Sequence, residues 1–175
     1  MGGRDRLQEW NDVWYSQDGI KWTSATTSAP WTPLHTAVSF AGKIWVITGL
    51  DVWSSPDGTS WTHVTRPPWY VPFDGNRGGI RALVCDDKIW AMGGSNIFLG
   101  NYNDVWKSPD GETWTLATPH AGWIGRVGHA VVVHDRKMWV LGGYAPGWKG
   151  SQGVYLNDVW YSVIPARASS WRMYR

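Results

Sequence analysis

The sequence predicts an all-β protein built from repeated four-stranded antiparallel sheets. A phrase centred on Asp-Val-Trp occurs four times in the 175 residues, and three of its copies continue into an Asp-Gly turn. The composition agrees, because 16 Trp, 21 Gly and 10 Pro suit short strands and tight turns better than helices. We therefore expect almost no helix.

The spacing of the repeated phrase indicates the size of the repeating unit. Its copies are NDVWYSQDGIKWT, LDVWSSPDGTSWT, NDVWKSPDGETWT and NDVWYS, which place a Trp at Trp14, Trp53, Trp106 and Trp160. These Trp are 39, 53 and 54 residues apart, a period typical of stacked supersecondary units. A second Trp follows in each unit, at Trp22, Trp61, Trp114 and Trp171. Each copy therefore predicts two strands, C and D, that form a hairpin.

Two more strands are predicted upstream of each complete hairpin. Strand B is indicated by GKIWVITG from Gly42, DKIWAMGG from Asp87 and RKMWVLGG from Arg136. Strand A is indicated by the short apolar runs that start at His35, Ile80 and His129. Each complete unit then contains strands A to D.

The turns between these strands have a physical basis. In the C–D turn, Gly supplies positive φ while Asp hydrogen-bonds to its own backbone, as in a tight hairpin. The Gly-Gly after strand B permits close approach of a neighbouring sheet. Because strand B is apolar on both faces, each sheet should lie between two others, and radial stacking of such sheets forms a β-propeller.

The repeated pattern resembles the kelch repeat over nearly the whole chain. It consists of an apolar strand A, Lys-Ile/Met-Trp, Gly-Gly, Asn-Asp-Val-Trp and a final Trp. The Ser-x-Asp-Gly-x-x-Trp phrase also resembles the Asp-box hairpin of sialidase-type propellers. The resemblance implies four-stranded blades in which the Trp pair of each unit anchors the outer hairpin. These Trp are then scaffold residues rather than site residues.

We predict a half-blade of strands C and D at 1–28, followed by complete blades at 32–66, 77–118 and 126–175. This partial propeller has fewer blades than the six or seven usual in the kelch family. We expect either a fragment of a longer protein or completion by a second chain, and we expect the isolated chain to self-associate through its open edges. The last strand D is predicted mainly from Trp171, because this copy lacks the Asp-Gly turn.

The resemblance places the ligand surface on the face formed by the B–C and D–A loops. Five Trp outside the kelch positions fall in these loops, at Trp10, Trp31, Trp69, Trp123 and Trp148. Arg77 and Arg126 share one slot, three residues before strand A, near the rim of a central channel. The predicted ligand-binding residues are Trp31, Trp69, Tyr70, Arg77, Trp123, Arg126 and Trp148.

This set allows two interpretations. Exposed Trp beside Arg stack on sugar rings or aromatic side chains and bind carboxylates. Alternatively, the loop Trp cover the end of the core. The Asp residues that open the C strands are predicted to bond backbone amides and fix the loops; they are Asp12, Asp51, Asp104 and Asp158.

Composition excludes several function classes. A formal charge of +2 without a basic cluster predicts neither nucleic-acid nor membrane binding. The single Cys85 allows no internal disulfide and is predicted to be a small buried hydrophobe. No apolar run reaches the roughly 18 residues of a membrane span. The first residues contain no signal-peptide core, so a cytoplasmic location is the default expectation.

No catalytic residues, metal ligands or cofactor are predicted. His129 and His134 lie five apart on one strand and point to opposite faces, which excludes a shared metal. No Gly-x-Ser-x-Gly, Walker-type or dinucleotide motif is present. Galactose oxidase has a kelch propeller, but its copper-ligand Tyr-His dipeptide is missing from this sequence.

The sequence leaves two functional hypotheses. The first is a non-enzymatic kelch-type module that binds a protein or peptide partner through its loop face. The alternative is a carbohydrate-binding or carbohydrate-active propeller of the sialidase, galactose oxidase or sialic acid mutarotase type. Propellers host both kinds of function, so the fold does not decide between them.

Overall fold

The structure is a computed structural model that describes residues 9–32, 34–70, 76–147, 151–162 and 171–174, together with the backbone of 3–4. Within these residues there is no helix, and thus none that could span a membrane. The strands of this part of the chain are, in order, β1 (Gly3–Arg4), β2 (Glu9–Trp10), β3 (Val13–Tyr15), β4 (Thr23–Thr26), β5 (His35–Phe40), β6 (Lys43–Thr48), β7 (Val52–Ser55), β8 (Thr62–Thr65), β9 (Arg81–Cys85), β10 (Lys88–Met92), β11 (Ser95–Asn96), β12 (Gly100–Asn101), β13 (Val105–Ser108), β14 (Thr115–Thr118), β15 (Ala130–His134), β16 (Lys137–Ala145), β17 (Val154–Ser162) and β18 (Trp171–Met173).

The described strands form three four-stranded antiparallel sheets, one two-stranded half-blade and two short two-stranded hairpins, β1-β2 and β11-β12. Blade 2 has the order β5-β6-β7-β8, blade 3 the order β9-β10-β13-β14 and blade 4 the order β15-β16-β17-β18. The half-blade is the hairpin β3-β4. The prediction of an all-β fold with three complete blades and a half-blade is confirmed, as is a final strand D at Trp171. The blade boundaries themselves stay predictions.

Each Asp-Gly turn is held by hydrogen bonds within its own phrase, as predicted. In blade 3, the Asp110 carboxylate accepts the amide N–H groups of Glu112 at 2.9 Å and Thr113 at 2.7 Å. The Ser108 hydroxyl accepts the N–H of Gly111, whose φ is 79°. The indole of Trp114 then donates to the Gly111 carbonyl at 3.1 Å. The Trp that follows each turn is thus tied directly to the turn.

Apolar cores lie between neighbouring blades. In β10, the segment Ile89–Met92 is buried along its whole length, because one face meets blade 2 and the other meets blade 4. Val46 of β6 packs in the same way against the half-blade. Burial of both faces explains why strand B is a continuous apolar run rather than an alternating one.

The Gly-Gly after strand B allows close contact between blades. Gly93 and Gly94 have φ values of 67° and 102°, which other residues rarely adopt. A Cβ atom on Gly94 would lie 2.8 Å from the Gly78 carbonyl oxygen, and one on Gly93 would lie 2.5 Å from the His129 ring. This confirms the predicted role of the pair.

Replacing Gly111 with alanine is expected to lower the free energy of unfolding by about 2–4 kcal/mol. The added Cβ would overlap the Trp45 indole of blade 2, and φ at this position is positive. Gly19 is the matched control, because it has φ of 73° in the same turn of the half-blade but no atom within 4 Å of its built Cβ. Urea unfolding followed by circular dichroism should show a smaller loss, about 1 kcal/mol, for Gly19→Ala. Equal losses in the two variants would contradict a clash with Trp45.

Candidate functional site: the loop face

The loop face is a connected layer of hairpins and loops. The B–C connection of blade 3 is a hairpin of β11 and β12, and that of blade 4 is the outer part of β16 and β17. The D–A loops pair with these hairpins through bridges between Gly78 and Ser95 and between Val127 and Tyr144. The Asn101 amide also donates to the Pro146 carbonyl at 2.8 Å, which joins the two hairpins. The loops of this face therefore hold one another in place.

Three of the predicted loop Trp lie in the interior. Trp31 packs between the half-blade and blade 2, Trp69 between blades 2 and 3, and Trp123 between blades 3 and 4. Each D–A loop thus places one Trp over the core between two blades. This burial supports the interpretation in which loop Trp cover the end of the core.

The other predicted aromatic residues differ in exposure. Trp10 is exposed, and Tyr70 is half-buried with the Arg66 guanidinium 5.0 Å from the centre of its ring. Trp148 lies outside the described residues. No observation tests ligand binding by the predicted set, and that role stays a prediction.

Arg77 and Arg126 are buried and hold the loop face to the blades. Arg77 forms two hydrogen bonds with the Asp104 carboxylate, at 2.5 and 3.0 Å, and two with the Gly93 carbonyl. Arg126 bonds both oxygens of Asp158, at 2.5 and 2.9 Å, and the Gly142 carbonyl. The Arg126 guanidinium lowers the pKa of Asp158, with a smaller contribution from the Trp160 indole. The predicted equivalence of the two Arg is therefore visible in their contacts.

The Asp residues that open the C strands do not act as predicted. Instead of fixing loops through backbone amides, Asp104 and Asp158 accept charged N–H groups from Arg. Both also accept the indole N–H two residues along the chain, from Trp106 and Trp160. A carboxylate this far buried needs a cationic partner more than an amide.

His129 is buried beside a group of cations. Neither ring nitrogen has a hydrogen-bond partner among the described residues. Burial lowers the pKa of His129 to about 3, and the charges of Arg81, Arg126 and Arg77 contribute further. The imidazole is therefore neutral near pH 7. It lies over Gly93, where a larger residue would not fit.

Arg81 is the partly buried cation of this group. Its guanidinium donates to the carbonyls of His129 and Ile80, both at 3.3 Å. Within the described part of the chain it forms no ion pair with a carboxylate. Its charge is therefore not neutralised by contact, in contrast to the charges of Arg77 and Arg126.

Three consecutive apolar side chains are exposed at the tip of the β11-β12 hairpin, and sequence analysis missed them. Ile97, Phe98 and Leu99 are 80%, 59% and 50% exposed. The Asn96 side-chain oxygen accepts the N–H groups of Phe98 at 2.7 Å and Leu99 at 3.0 Å, which fixes the turn. The signal was available, because an apolar triplet between Asn96 and Gly100 in a loop has no core to enter. We call Ile97, Phe98 and Leu99 the apolar tip.

Other apolar side chains are exposed on the same face. Ile124 lies in the D–A loop that packs on Asn101, and Val154 and Tyr155 open β17 of the neighbouring hairpin. The Tyr155 ring lies 4.8 Å from that of Tyr144. The apolar tip is thus one part of a wider exposed apolar surface.

Metal-ligand clusters and the single thiol also bear on the sequence predictions. No group of three His, Cys, Asp or Glu among them is arranged to hold a metal ion. Cys85 is buried, as predicted, and burial raises the pKa of its thiol, which makes it a poor nucleophile.

Comparison with known proteins identifies the repeat. The family model described as Kelch motif matches residues 125–161, which contain β15, β16 and most of β17. Blade 4 is therefore similar to the kelch repeat. Blades 2 and 3 have the same strand order and the same strand B and strand C phrases, so the three complete blades share one β-propeller fold.

A solved structure supports the same fold. The protein in "Structure of YjhT" matches 99% of this chain with a TM-score of 0.69 and 18% sequence identity. The chain spans 64% of the length of that protein. A search of curated proteins found no match.

Proposed function

We propose that this chain is a non-enzymatic kelch-type module that binds a protein or peptide partner through its loop face. The observation that carries the proposal is the apolar tip, Ile97 to Leu99, at the end of a blade 3 hairpin. The partner surface is an apolar pocket or groove that accepts Phe98 with its two neighbours. The contact residues are then the exposed ones of this face, and the buried Arg and Trp support them.

Exposed apolar side chains on soluble proteins usually occur singly. Here three neighbours in sequence are exposed together, and Ile124 and Tyr155 add to them on the same face. Large apolar and aromatic side chains are the residues that dominate the binding energy of protein interfaces. The composition of this surface therefore favours a protein partner.

The apolar tip is held in one conformation before binding. Asn96 fixes its turn, and the bridge between Gly78 and Ser95 joins the hairpin to the D–A loop. Beneath the hairpin, Arg77 bonds both Gly93, at the start of the B–C connection, and Asp104, at its end. A preorganised loop loses little conformational entropy on binding, which favours affinity.

The test is the binding of peptides selected from a phage-displayed random library on the whole chain. Phe98→Ser is expected to weaken their binding at least about tenfold, because truncation of a central apolar anchor typically costs 1–2 kcal/mol or more. The matched control is Leu116→Ser, since Leu116 is 46% exposed on β14, away from the loop face. Isothermal titration of each purified variant gives the dissociation constants. Peptides that bind wild type and Phe98→Ser equally would contradict the proposal.

Arg81 favours a second candidate function, the binding of an acidic sugar. Its partly buried guanidinium forms only long hydrogen bonds to carbonyls, and a sugar carboxylate would be a stronger partner. N-acetylneuraminic acid should then bind the wild-type chain and not Arg81→Gln. Equal titration curves for the two proteins, or no binding to either, would remove this candidate.

A further inference from the structure

A pocket of about 330 Å³ lies between blades 3 and 4, at the turns that join strands A and B. We call it the A–B pocket, and its lining residues are Val84, Cys85, Asp86 and Asp87 of blade 3 with Val133 and Arg136 of blade 4. The A–B turn and the B–C hairpin of blade 3 leave opposite ends of strand B. The pocket is therefore separate from the loop face, and both of its walls belong to complete blades.

The pocket is open because a small side chain replaces a large one at the end of strand A. Phe40 and Cys85 are equivalent, since each pairs with the first residue of strand B, Lys43 in blade 2 and Lys88 in blade 3. The Phe40 ring packs into the core between blades 2 and 3. Cys85 faces the next interface, between blades 3 and 4, with a much smaller side chain. The space that an aromatic ring fills in one interface is therefore free in the other.

Charged groups of both signs line the A–B pocket without neutralising one another. Asp86 and Asp87 contribute two carboxylates from blade 3, and Arg136 contributes a guanidinium from blade 4. Among the described residues, none of the three forms an ion pair. The same turn of blade 2 contains Ala41 and Gly42, which carry no charge. The charges are thus a property of this pocket and not of the A–B turn in general.

We propose that the A–B pocket binds an apolar α-amino acid of about the size of leucine or phenylalanine. Its volume is that of about eleven water molecules in the liquid, which suits a ligand of this size. Arg136 would bind the carboxylate, and Asp86 or Asp87 would bind the ammonium group. The two Val side chains and Cys85 would contact the apolar side chain, as in small-molecule sites that combine an apolar lining with a few polar groups. A ligand with only one charge would leave the opposite charge of the pocket unpaired.

The probes are phenylalanine, leucine and two analogues of phenylalanine that each lack one charge. Phenethylamine lacks the carboxylate, and hydrocinnamate lacks the ammonium group. In isothermal titration of the whole chain with millimolar ligand, at least one of the two amino acids should bind. Each analogue should bind at least about tenfold more weakly than phenylalanine, because it loses a charge-assisted hydrogen bond.

Alkylation of Cys85 provides a second measurement of binding. Cys85 is the only Cys of the chain, so iodoacetamide labels one site, and the increase in mass reports the rate. Because burial raises the pKa of this thiol, the reaction is run at alkaline pH. A saturating amino acid that binds in the pocket should slow the labelling.

Variants of the chain locate the site. Arg136→Gln should weaken the binding of the amino acid at least about tenfold but leave that of phenethylamine unchanged, because phenethylamine has no carboxylate. Arg66→Gln is the matched control, since Arg66 is an exposed Arg outside the pocket. Cys85→Phe should abolish binding by filling the pocket, as Phe40 fills the equivalent space between blades 2 and 3. Arg136→Gln keeps the test valid if Cys85→Phe does not fold.

Three results would overturn the inference. The first is that neither phenylalanine nor leucine binds the wild-type chain at millimolar concentration. The second is that both analogues bind as tightly as phenylalanine, and the third is that Arg136→Gln binds the amino acid like wild type. The test does not involve the apolar tip, so its result is independent of the proposed function.

Discussion

Replacing Arg126 with alanine is expected to lower the free energy of unfolding by about 3–5 kcal/mol. Arg126 is fully buried, and Asp158 has a side chain only 21% exposed. Removal of the guanidinium leaves this carboxylate with the Trp160 indole N–H but without a cation, and the carbonyls of Gly142 and Ile124 lose the Arg126 donor. Urea unfolding followed by circular dichroism measures the loss.

Two further variants distinguish the loss of the buried ion pair from the loss of a positive charge elsewhere on the protein. Arg66→Ala removes an exposed cation 3.7 Å from Asp51, and exposed pairs of this kind typically contribute no more than about 1 kcal/mol. The double variant Arg126→Met, Asp158→Leu removes both charges, and it should recover much of the stability because no lone carboxylate stays buried. A loss in Arg126→Ala no greater than that in Arg66→Ala would show that the pair does not hold blade 4 together.

The pH dependence provides a second observable for the same pair. Arg126 lowers the pKa of Asp158 in the folded chain below its unfolded value of about 3.9. The stabilisation is therefore fully present above that value and is lost as the pH falls through the folded pKa. The gap in stability between wild type and Arg126→Ala should narrow in this acidic range. A gap that is constant down to pH 3 would contradict the ion pair.

Strands and turns were predictable because their causes are local. The Asp-Gly turn depends on hydrogen bonds between residues two or three apart, such as Asp110 with Glu112 and Thr113. The apolar run of β10 indicates burial on both faces wherever it occurs. Each repeat presents these signals again, so three complete units and a half-unit were visible without tertiary information.

The loop face was only partly predictable, because the fate of its side chains depends on distant residues. Arg77 meets Asp104 across 27 positions, and Arg126 meets Asp158 across 32. Alignment of the repeats predicted that the two Arg are equivalent. It did not predict their ion pairs, because an Arg in a loop can either extend into solvent or pair with a carboxylate. For the same reason, the sequence did not decide whether the Trp side chains of the D–A loops are buried or exposed. The apolar tip carried a local signal, three consecutive apolar residues in a loop, but this signal lies outside the repeated Trp pattern.

Trp123→Ala is expected to lower the free energy of unfolding by about 3–5 kcal/mol. The side chain is 1% exposed in the core between blades 3 and 4, and its ring meets that of Trp171 edge-on at 6.0 Å. Alanine would leave a large cavity between two blades. Trp10→Ala is the control, because Trp10 is 40% exposed and its loss should cost less than about 1 kcal/mol.

The Trp123 variant also distinguishes the two interpretations of the loop Trp. If Trp123 covers the core, Trp123→Ala loses stability, and Trp123→Phe, which retains a ring, loses less. At temperatures where both variants are folded, selected peptides should bind them as they bind wild type, since the buried ring offers a partner no surface. A variant as stable as wild type that no longer binds peptide would instead make Trp123 a ligand contact. The predicted binding surface would then extend inward from the apolar tip to the D–A loops.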